Sequence, residues 1–146
     1  MFKTITIIGM GLIGSSIARA INKKNLCKRL IAHDCSKSVL KKVLKLKITK
    51  NIEANLKKSV KDSDLVIICA PLGSYKNIVL SIKNDLKKNC ILTDVGSAKI
   101  FVKKVVSNLI NKNTIWIPAH PVAGTEKRDR KSTRLNSSHA NISYAV

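Results

Sequence analysis

The stretch GMGLIG, residues 9–14, decides how the fold of this chain is interpreted. It follows the β-branched run KTITII, residues 3–8, which is typical of a buried strand. It opens a segment in which Ile13, Ile17 and Ile21 recur at helical spacing. Strand, glycine turn and helix in this order leave backbone N–H groups at the start of the helix, where an anion is stabilised.

The rest of the chain alternates between strand and helix patterns. Short apolar or β-branched runs predict further strands at residues 29–33, 65–70, 90–94 and 114–117, with a weak one around Ile48. Apolar stripes predict the helices between them, at Val39, Leu40, Val43 and Leu44, at Ile52, Leu56 and Val60, at Ile78, Val79, Ile82 and Leu86, and at Val102, Val105, Val106, Leu109 and Ile110. This alternation predicts the α/β class and a doubly wound parallel sheet, which binds ligands beyond the carboxyl ends of its strands.

Each glycine of the G-x-G-x-x-G pattern has a physical role after a strand. Gly9 allows a tight turn, Gly11 lets the backbone approach a pyrophosphate, and Gly14 lets the helix pack on the strand. The pattern alone is weak, but the strand before it and the helix after it are the context of a Rossmann dinucleotide-binding fold. The predicted dinucleotide-binding loop comprises Gly9, Met10, Gly11, Leu12, Ile13 and Gly14.

An acidic residue at the end of the second predicted strand extends this prediction. Asp34 lies 20 residues past Gly14, where a carboxylate accepts hydrogen bonds from the adenosine ribose and repels a 2′-phosphate. We therefore predict NAD as the cofactor and NADP as the less favoured one, although nearby Lys37 is compatible with a phosphate. The structural alternative is a plain glycine turn, with Asp34 or Ser36 capping the next helix.

Three further loops, CAPLGS, TDVGSAK and PAHPVAGTE, are predicted at the same edge of the sheet. Pro71 is either a helix-stopping turn or the wall of a ligand site, and Ser97 is either a helix cap or a site residue. His120 is either a loop histidine or a general base. For each residue alone the structural role is at least as plausible. Because the three loops converge beside the predicted dinucleotide site, we favour the functional roles together.

Composition argues against several other classes of function. The net charge of +20 comes mainly from scattered lysines in a chain also rich in Ile and Asn, which A/T-rich codons encode. Aromatic residues make up 3%, too few for stacking nucleic-acid bases. No apolar run is long enough to span a membrane, and the four cysteines lack C-x-x-C spacing. We therefore expect a cytoplasmic protein that binds no metal, no nucleic acid and no membrane.

Four stretches combine in a specific order: GMGLIGSSIARA, CAPLGSY, TDVGSAK and HPVAGTE. In this order and spacing, over residues 1–127, they resemble the prephenate/arogenate dehydrogenases of tyrosine biosynthesis. The resemblance implies an NAD-dependent enzyme that converts prephenate to 4-hydroxyphenylpyruvate, or arogenate to tyrosine, by oxidation with decarboxylation. It also implies a homodimer formed through an all-helical second domain.

The same resemblance implies roles for individual residues. His120 matches the family's catalytic histidine, and a neutral imidazole suits accepting the proton of the substrate hydroxyl. Ser97 matches the serine that hydrogen-bonds this hydroxyl and helps to orient the histidine. Glu126 matches an acid that helps to gate the substrate pocket, and Pro71 lies in the loop beside the nicotinamide.

The sequence departs from the family after Glu126. Relatives continue into the helical domain, which supplies an Arg for a substrate carboxylate, whereas residues 129–146 match a translated sequencing-library adapter. We therefore predict a dinucleotide-binding domain over residues 1–128 and assign no fold or function to the tail; a natural basic linker is the competing interpretation. Without the second domain, the chain is expected to be catalytically silent.

Two other functions stay open. One is a nicotinamide-dependent dehydrogenase of the hydroxyacid or ketopantoate type, with its catalytic Lys or Asn in a second domain. The other is a dinucleotide-binding module without catalytic activity. The stretch HPVAGTE would then need another explanation.

Overall fold

The structure, a computed structural model, describes residues 1–120. Glu126 and the expected tail at residues 129–146 lie outside the described residues. Strands and helices alternate along the described part: β1 (Phe2–Ile8), α1 (Leu12–Lys23), β2 (Cys27–His33), α2 (Lys37–Lys45), β3 (Asn51–Ile52), α3 (Leu56–Val60), β4 (Leu65–Ile68), a 3-10 turn (Leu72–Ser74), α4 (Tyr75–Ile82), β5 (Ile91–Asp94), α5 (Lys99–Ser107) and β6 (Ile115–Pro118).

These strands form one parallel sheet in the order β3-β2-β1-β4-β5-β6. The chain builds outwards from β1 to β3, returns to place β4 on the other side of β1, and continues to β6. Connections from β1 and β4 therefore diverge, which leaves a crevice beyond the carboxyl ends of these two strands. The predicted α/β class and doubly wound parallel sheet are confirmed.

Apolar side chains cover both faces of the sheet. Ile68 and Leu92 belong to the cluster that packs with α4 and α5, while Ile5 and Ile67 belong to the cluster that packs with α1 and α2. Because side chains alternate along a strand, the neighbours Ile67 and Ile68 are buried on opposite faces. This two-sided burial explains why β4 is apolar at successive positions.

The third strand does not lie where the sequence predicted it. The prediction centred on Ile48, whereas β3 is the two-residue strand Asn51–Ile52. Lys47, in the turn after α2, has a left-handed backbone with φ 52°, and Ile48 follows it with its side chain in the core. Ile52, predicted to begin a helical stripe, pairs with β2, so α3 begins only at Leu56.

Helix α1 buries a different face from the predicted one. The apolar stripe suggested Ile13, Ile17 and Ile21, but the buried residues are Gly14, Ala18 and Ile21. Gly14 marks the closest approach of the helix to the turn after β1. Ile13 is consequently 48% exposed and faces the crevice rather than the core.

The apolar stripes also overestimated the lengths of α4 and α5. Leu86 lies beyond the end of α4, and Leu109 and Ile110 lie beyond the end of α5. All three still pack against the core, from turns rather than from helices. An apolar stripe therefore indicated burial correctly while misplacing the end of the helix.

Candidate functional site at the carboxyl edge of the sheet

The turn between β1 and α1 requires glycine at two positions for reasons internal to the fold. Gly9 has φ 94°, and a Cβ there would come within 2.9 Å of backbone atoms of Cys69 and Ala70. A Cβ on Gly14 would overlap the carbonyl oxygen of Gly9. A Cβ on Gly11 would meet no atom of residues 1–120 within 4 Å, apart from its chain neighbours. The fold therefore explains Gly9 and Gly14 but not Gly11, which leaves an open cradle at the surface.

Helix α1 begins beside this cradle with backbone donors that the helix does not use. Gly11 is its N-cap and provides no capping side chain, and the first turn contains no acidic residue. Ser15 N–H donates to the carbonyl of Gly11, so the N–H groups of residues 12–14 have no acceptor within the helix. These donors and the positive end of the helix dipole favour an anion here.

Asp34, which follows β2, is hydrogen-bonded to the glycine turn. Its Oδ2 accepts the backbone N–H of Met10 at 2.8 Å, and its Oδ1 accepts the backbone N–H of Ser36 at 2.9 Å. The cap of α2 is Ser36, whose Oγ accepts the N–H of Val39 at 3.4 Å. Asp34 therefore braces the loop instead of capping the helix. Each carboxylate oxygen has a second lone pair, so Asp34 can still accept hydrogen bonds from a ligand.

Six of the predicted site residues meet in one cleft with a volume of about 640 Å³. They are Gly9, Gly11, Ile13, Asp34, Pro71 and Ser97. Gly14 and Met10 are buried and do not line this cleft. Leu12 is 93% exposed and lines a separate groove between α1 and α2, so only its backbone N–H remains a candidate for binding in the cleft.

A buried carboxylate holds the turn that carries Ser97. Asp94, the last residue of β5, is 1% exposed. Its Oδ2 accepts the N–H of Gly96 at 2.9 Å and is paired with the ammonium of Lys99 at 2.6 Å. Ser97 is exposed within this turn and does not cap α5, whose N-cap is Ala98. The sequence reasoning missed the Asp94–Lys99 pair, although an acid that ends a strand shortly before a lysine was a visible signal.

Two groups close to Asp94 are held in their protonated forms. Burial, and to a smaller extent the charge of Asp94, raises the pKa of the Cys69 thiol to about 12. The same two causes raise the pKa of the Tyr75 hydroxyl well above its usual value. This hydroxyl donates a hydrogen bond to the carbonyl of Ile68 at 3.3 Å. Neither group is therefore a base or a nucleophile for the cleft at neutral pH.

His120 follows β6 at the same edge of the sheet. It is partly buried, and its Nδ1 is buried without a hydrogen-bond partner among the residues that the structure describes. It does not line the cleft, so the structure brings Ser97, but not His120, to the predicted cofactor site. Glu126, the other residue predicted from HPVAGTE, lies beyond residue 120 and outside the described part.

Within residues 1–120, no group of His, Cys, Asp and Glu side chains is suited to hold a metal ion. The same residues form no helix that combines the length and apolar character needed to cross a bilayer. Cys27, Cys35, Cys69 and Cys90 are all free thiols.

The sequence matches the family described as "Prephenate dehydrogenase, nucleotide-binding domain" over residues 17–142. It is 36% identical over 126 residues to the cyclohexadienyl dehydrogenase of Zymomonas mobilis; the alignment covers 86% of this chain and 43% of that enzyme. It is 31% identical over 128 residues to the prephenate dehydrogenase of Bacillus subtilis, in an alignment that covers 87% of this chain and 34% of that enzyme.

The fold is also similar to that of a solved relative. The prephenate dehydrogenase from A. aeolicus, in complex with hydroxyphenyl propionate and NAD+, superposes with a TM-score of 0.69 at 19% identity. The alignment covers 87% of this chain and 44% of that one. The chain thus spans less than half the length of each of these relatives.

Proposed function

This chain belongs to the prephenate dehydrogenase family, whose nucleotide-binding domain it matches, and we propose that it is the cofactor-binding part of a longer NAD-dependent oxidoreductase. One observation carries the proposal, the open cradle at Gly11 beside the N–H groups that begin α1. Because a Cβ at Gly11 would meet no atom of the described residues within 4 Å, the fold of this part does not need glycine there. Close approach of a pyrophosphate does need it.

The cleft fits a dinucleotide in charge and in the arrangement of its donors and acceptors. The N–H groups of residues 12–14 would hold the pyrophosphate, and Asp34 would accept hydrogen bonds from the adenosine ribose. The negative charge of Asp34 favours NAD over NADP, because it would repel a 2′-phosphate. Pro71 and Ser97 would then border the nicotinamide.

The proposed reaction is the oxidation of prephenate or arogenate with loss of carbon dioxide. A bound cofactor would supply a nicotinamide able to accept hydride from the ring carbon that bears the hydroxyl. His120, as a neutral imidazole, accepts the hydroxyl proton, and Ser97 hydrogen-bonds the same oxygen. Decarboxylation at the opposite ring carbon makes the ring aromatic, so the products are 4-hydroxyphenylpyruvate or tyrosine.

A substrate with carboxylates needs cationic partners that the described part of the cleft does not provide. None of the described residues that line the cleft is Lys or Arg. Lys99 begins α5 two residues after Ser97, but its ammonium is paired with Asp94 at 2.6 Å. We therefore propose that this domain ends at residue 128 and that a second, helical domain of the longer protein supplies an Arg clamp, closes the cleft and forms a homodimer.

NADH formation with prephenate and with arogenate tests this function in three proteins: the 146-residue chain, the longer protein, and the longer protein with His120→Asn. We expect the short chain to bind NAD without turnover and the longer protein to be an active dimer by sedimentation velocity. His120→Asn should lower turnover about 10²–10⁴-fold, as loss of a general base does. Turnover by the short chain would contradict the need for a second domain, and full activity of His120→Asn would contradict the assignment of the base.

A further inference from the structure

Three buried side-chain atoms lack a hydrogen-bond partner within residues 1–120, and all three belong to β5 or to β6 and its continuation. They are Asp94 Oδ1, Trp116 Nε1 and His120 Nδ1. Most buried polar atoms in folded proteins are hydrogen-bonded, and each one that is not lowers stability. A group of three at the edge of the sheet that carries the cleft therefore points to interactions beyond those already described.

The sheet register places Asp94 beside the end of β6, two residues before His120. Leu92 is paired with Trp116, and both pack in the cluster beneath α4 and α5. Asp94 is paired with Pro118, one step further along the two strands, so its side chain is on that same face. His120 lies two residues beyond Pro118, at the same carboxyl edge of the sheet. Trp116 lies two residues before Pro118, so it is roughly 6–7 Å further from the carboxyl edge of the sheet than Asp94.

The two oxygens of Asp94 are used unequally. Oδ2 accepts the N–H of Gly96 and is paired with the ammonium of Lys99, which offsets the cost of burying the charge. Oδ1 accepts no hydrogen bond from the described residues. The other titratable neighbours of Asp94 are Tyr75 and Cys69, and neither donates a hydrogen bond to Oδ1. Tyr75 donates to the carbonyl of Ile68, and Cys69 interacts with Asp94 only electrostatically.

We propose that Asp94 is a positioning residue for both catalytic side chains, an inference that rests on the proposed function. Its Oδ2 holds the turn that carries Ser97, and its Oδ1 accepts the Nδ1–H of His120 in the folded chain in solution. Both atoms are unpaired among the described residues, so the bond needs a rotation of the imidazole or a shift of His120. It places the proton on Nδ1 and the lone pair on Nε2, the state that a base for the substrate hydroxyl requires.

The tautomer of His120 tests this proposal without any need for turnover. Nitrogen chemical shifts of the imidazole, recorded on the 15N-labelled 146-residue chain where the ring is neutral, distinguish Nδ1–H from Nε2–H. His120→Asn identifies the signals, because His33 and His139 also contribute. We expect Nδ1–H in the wild type, whereas imidazole free in water favours Nε2–H.

Asp94→Asn should invert the tautomer. The amide oxygen of the new side chain must replace Oδ2 to accept the N–H of Gly96, which turns the amide NH₂ toward His120. That NH₂ donates to Nδ1 and forces the proton onto Nε2, a change of at least about tenfold in the tautomer ratio for one hydrogen bond. Asp62→Asn is the matched control, because Asp62 is exposed before β4 at the opposite edge of the sheet. It should leave the ratio unchanged.

Each outcome decides the matter. Inversion in Asp94→Asn alone supports the proposal, and an Nε2–H wild type or an unchanged ratio in Asp94→Asn overturns it. If Asp94→Asn does not fold, Lys99→Met decides, because it removes the ion pair but keeps Oδ1. Retention of Nδ1–H in Lys99→Met supports the proposal and its loss overturns it. NAD titration of the same samples reports on the proposed function separately, since the tautomer is measured without cofactor.

Discussion

Adding one methyl group at Gly11 or at Gly14 should distinguish a glycine required for ligand binding from one required for folding. At Gly11 the backbone has φ −69° and ψ −162°, which any residue adopts, and the new Cβ meets no protein atom within 4 Å. Gly11→Ala should therefore change the free energy of unfolding by no more than about 1 kcal/mol, as a small gain from the unfolded state is set against a poorer helix cap. The methyl group fills the cradle, so NAD affinity should fall at least about tenfold, or 1.4 kcal/mol.

At Gly14 we expect the methyl group to lower the stability of the fold. The new Cβ overlaps the carbonyl oxygen of Gly9, a backbone atom that cannot move aside cheaply. The higher helix propensity of Ala should stabilise the fold by about 1 kcal/mol, but overpacking should destabilise it by about 1–3 kcal/mol or more. Gly14→Ala should therefore be less stable than the wild type. Gly73→Ala is the control, because it also has open space around it and lies outside the motif.

Urea denaturation of the four proteins and calorimetric titration with NAD measure both quantities. Wild-type NAD affinity in Gly11→Ala, with unchanged affinity in Gly73→Ala, would refute the assignment of the cradle to the pyrophosphate. A Gly14→Ala protein as stable as the wild type would refute the packing argument.

Two further predictions concern carboxylates at opposite edges of the sheet. Asp34→Ala should narrow the preference for NAD over NADP in parallel titrations, and a wild-type chain that prefers NADP would contradict the role given to Asp34. Hydrogen bonds from Lys87 and from the backbone N–H of Thr4 lower the pKa of Asp64 from 3.8 to about 2. Because this pKa is lower in the folded state than in the unfolded state, ionised Asp64 stabilises the fold above about pH 4. That stabilisation disappears as the pH falls toward 2. Asp64→Asn should therefore flatten the loss of stability between pH 5 and 2 in urea denaturation, and an equally steep loss in the variant would show that other groups control it.

The α/β class and the doubly wound parallel sheet could be predicted because apolar runs and helical stripes are local patterns, and general rules relate their alternation to such a sheet. The third strand was misplaced because two residues, Asn51–Ile52, have no measurable period. The buried face of α1 was misread because an apolar stripe registers side chains, and Gly14 contributes to packing by having none.

The site was predictable where its residues are neighbours in sequence and unpredictable where distant elements create it. The glycine turn and Asp34 follow from a motif and its spacing. The buried state of Asp94 depends on α4, whose Tyr75 lies against the turn after β5, and nothing near Asp94 in the sequence reports that packing. The structure was likewise needed to show that Ser97 lines the cleft and that His120 does not.

Backbone amide shifts of the 15N-labelled chain during titration with NAD test the central claim most directly. We expect saturable shifts at Gly11, Ile13 and Ser97, which line the cleft at the carboxyl edge of the sheet. Arg19 and Lys42, which line the groove between α1 and α2 and not the cleft, should remain unaffected. Shifts confined to Arg19 and Lys42, or no saturable shifts at Gly11 and Ile13, would contradict the assignment of the cleft as the cofactor site.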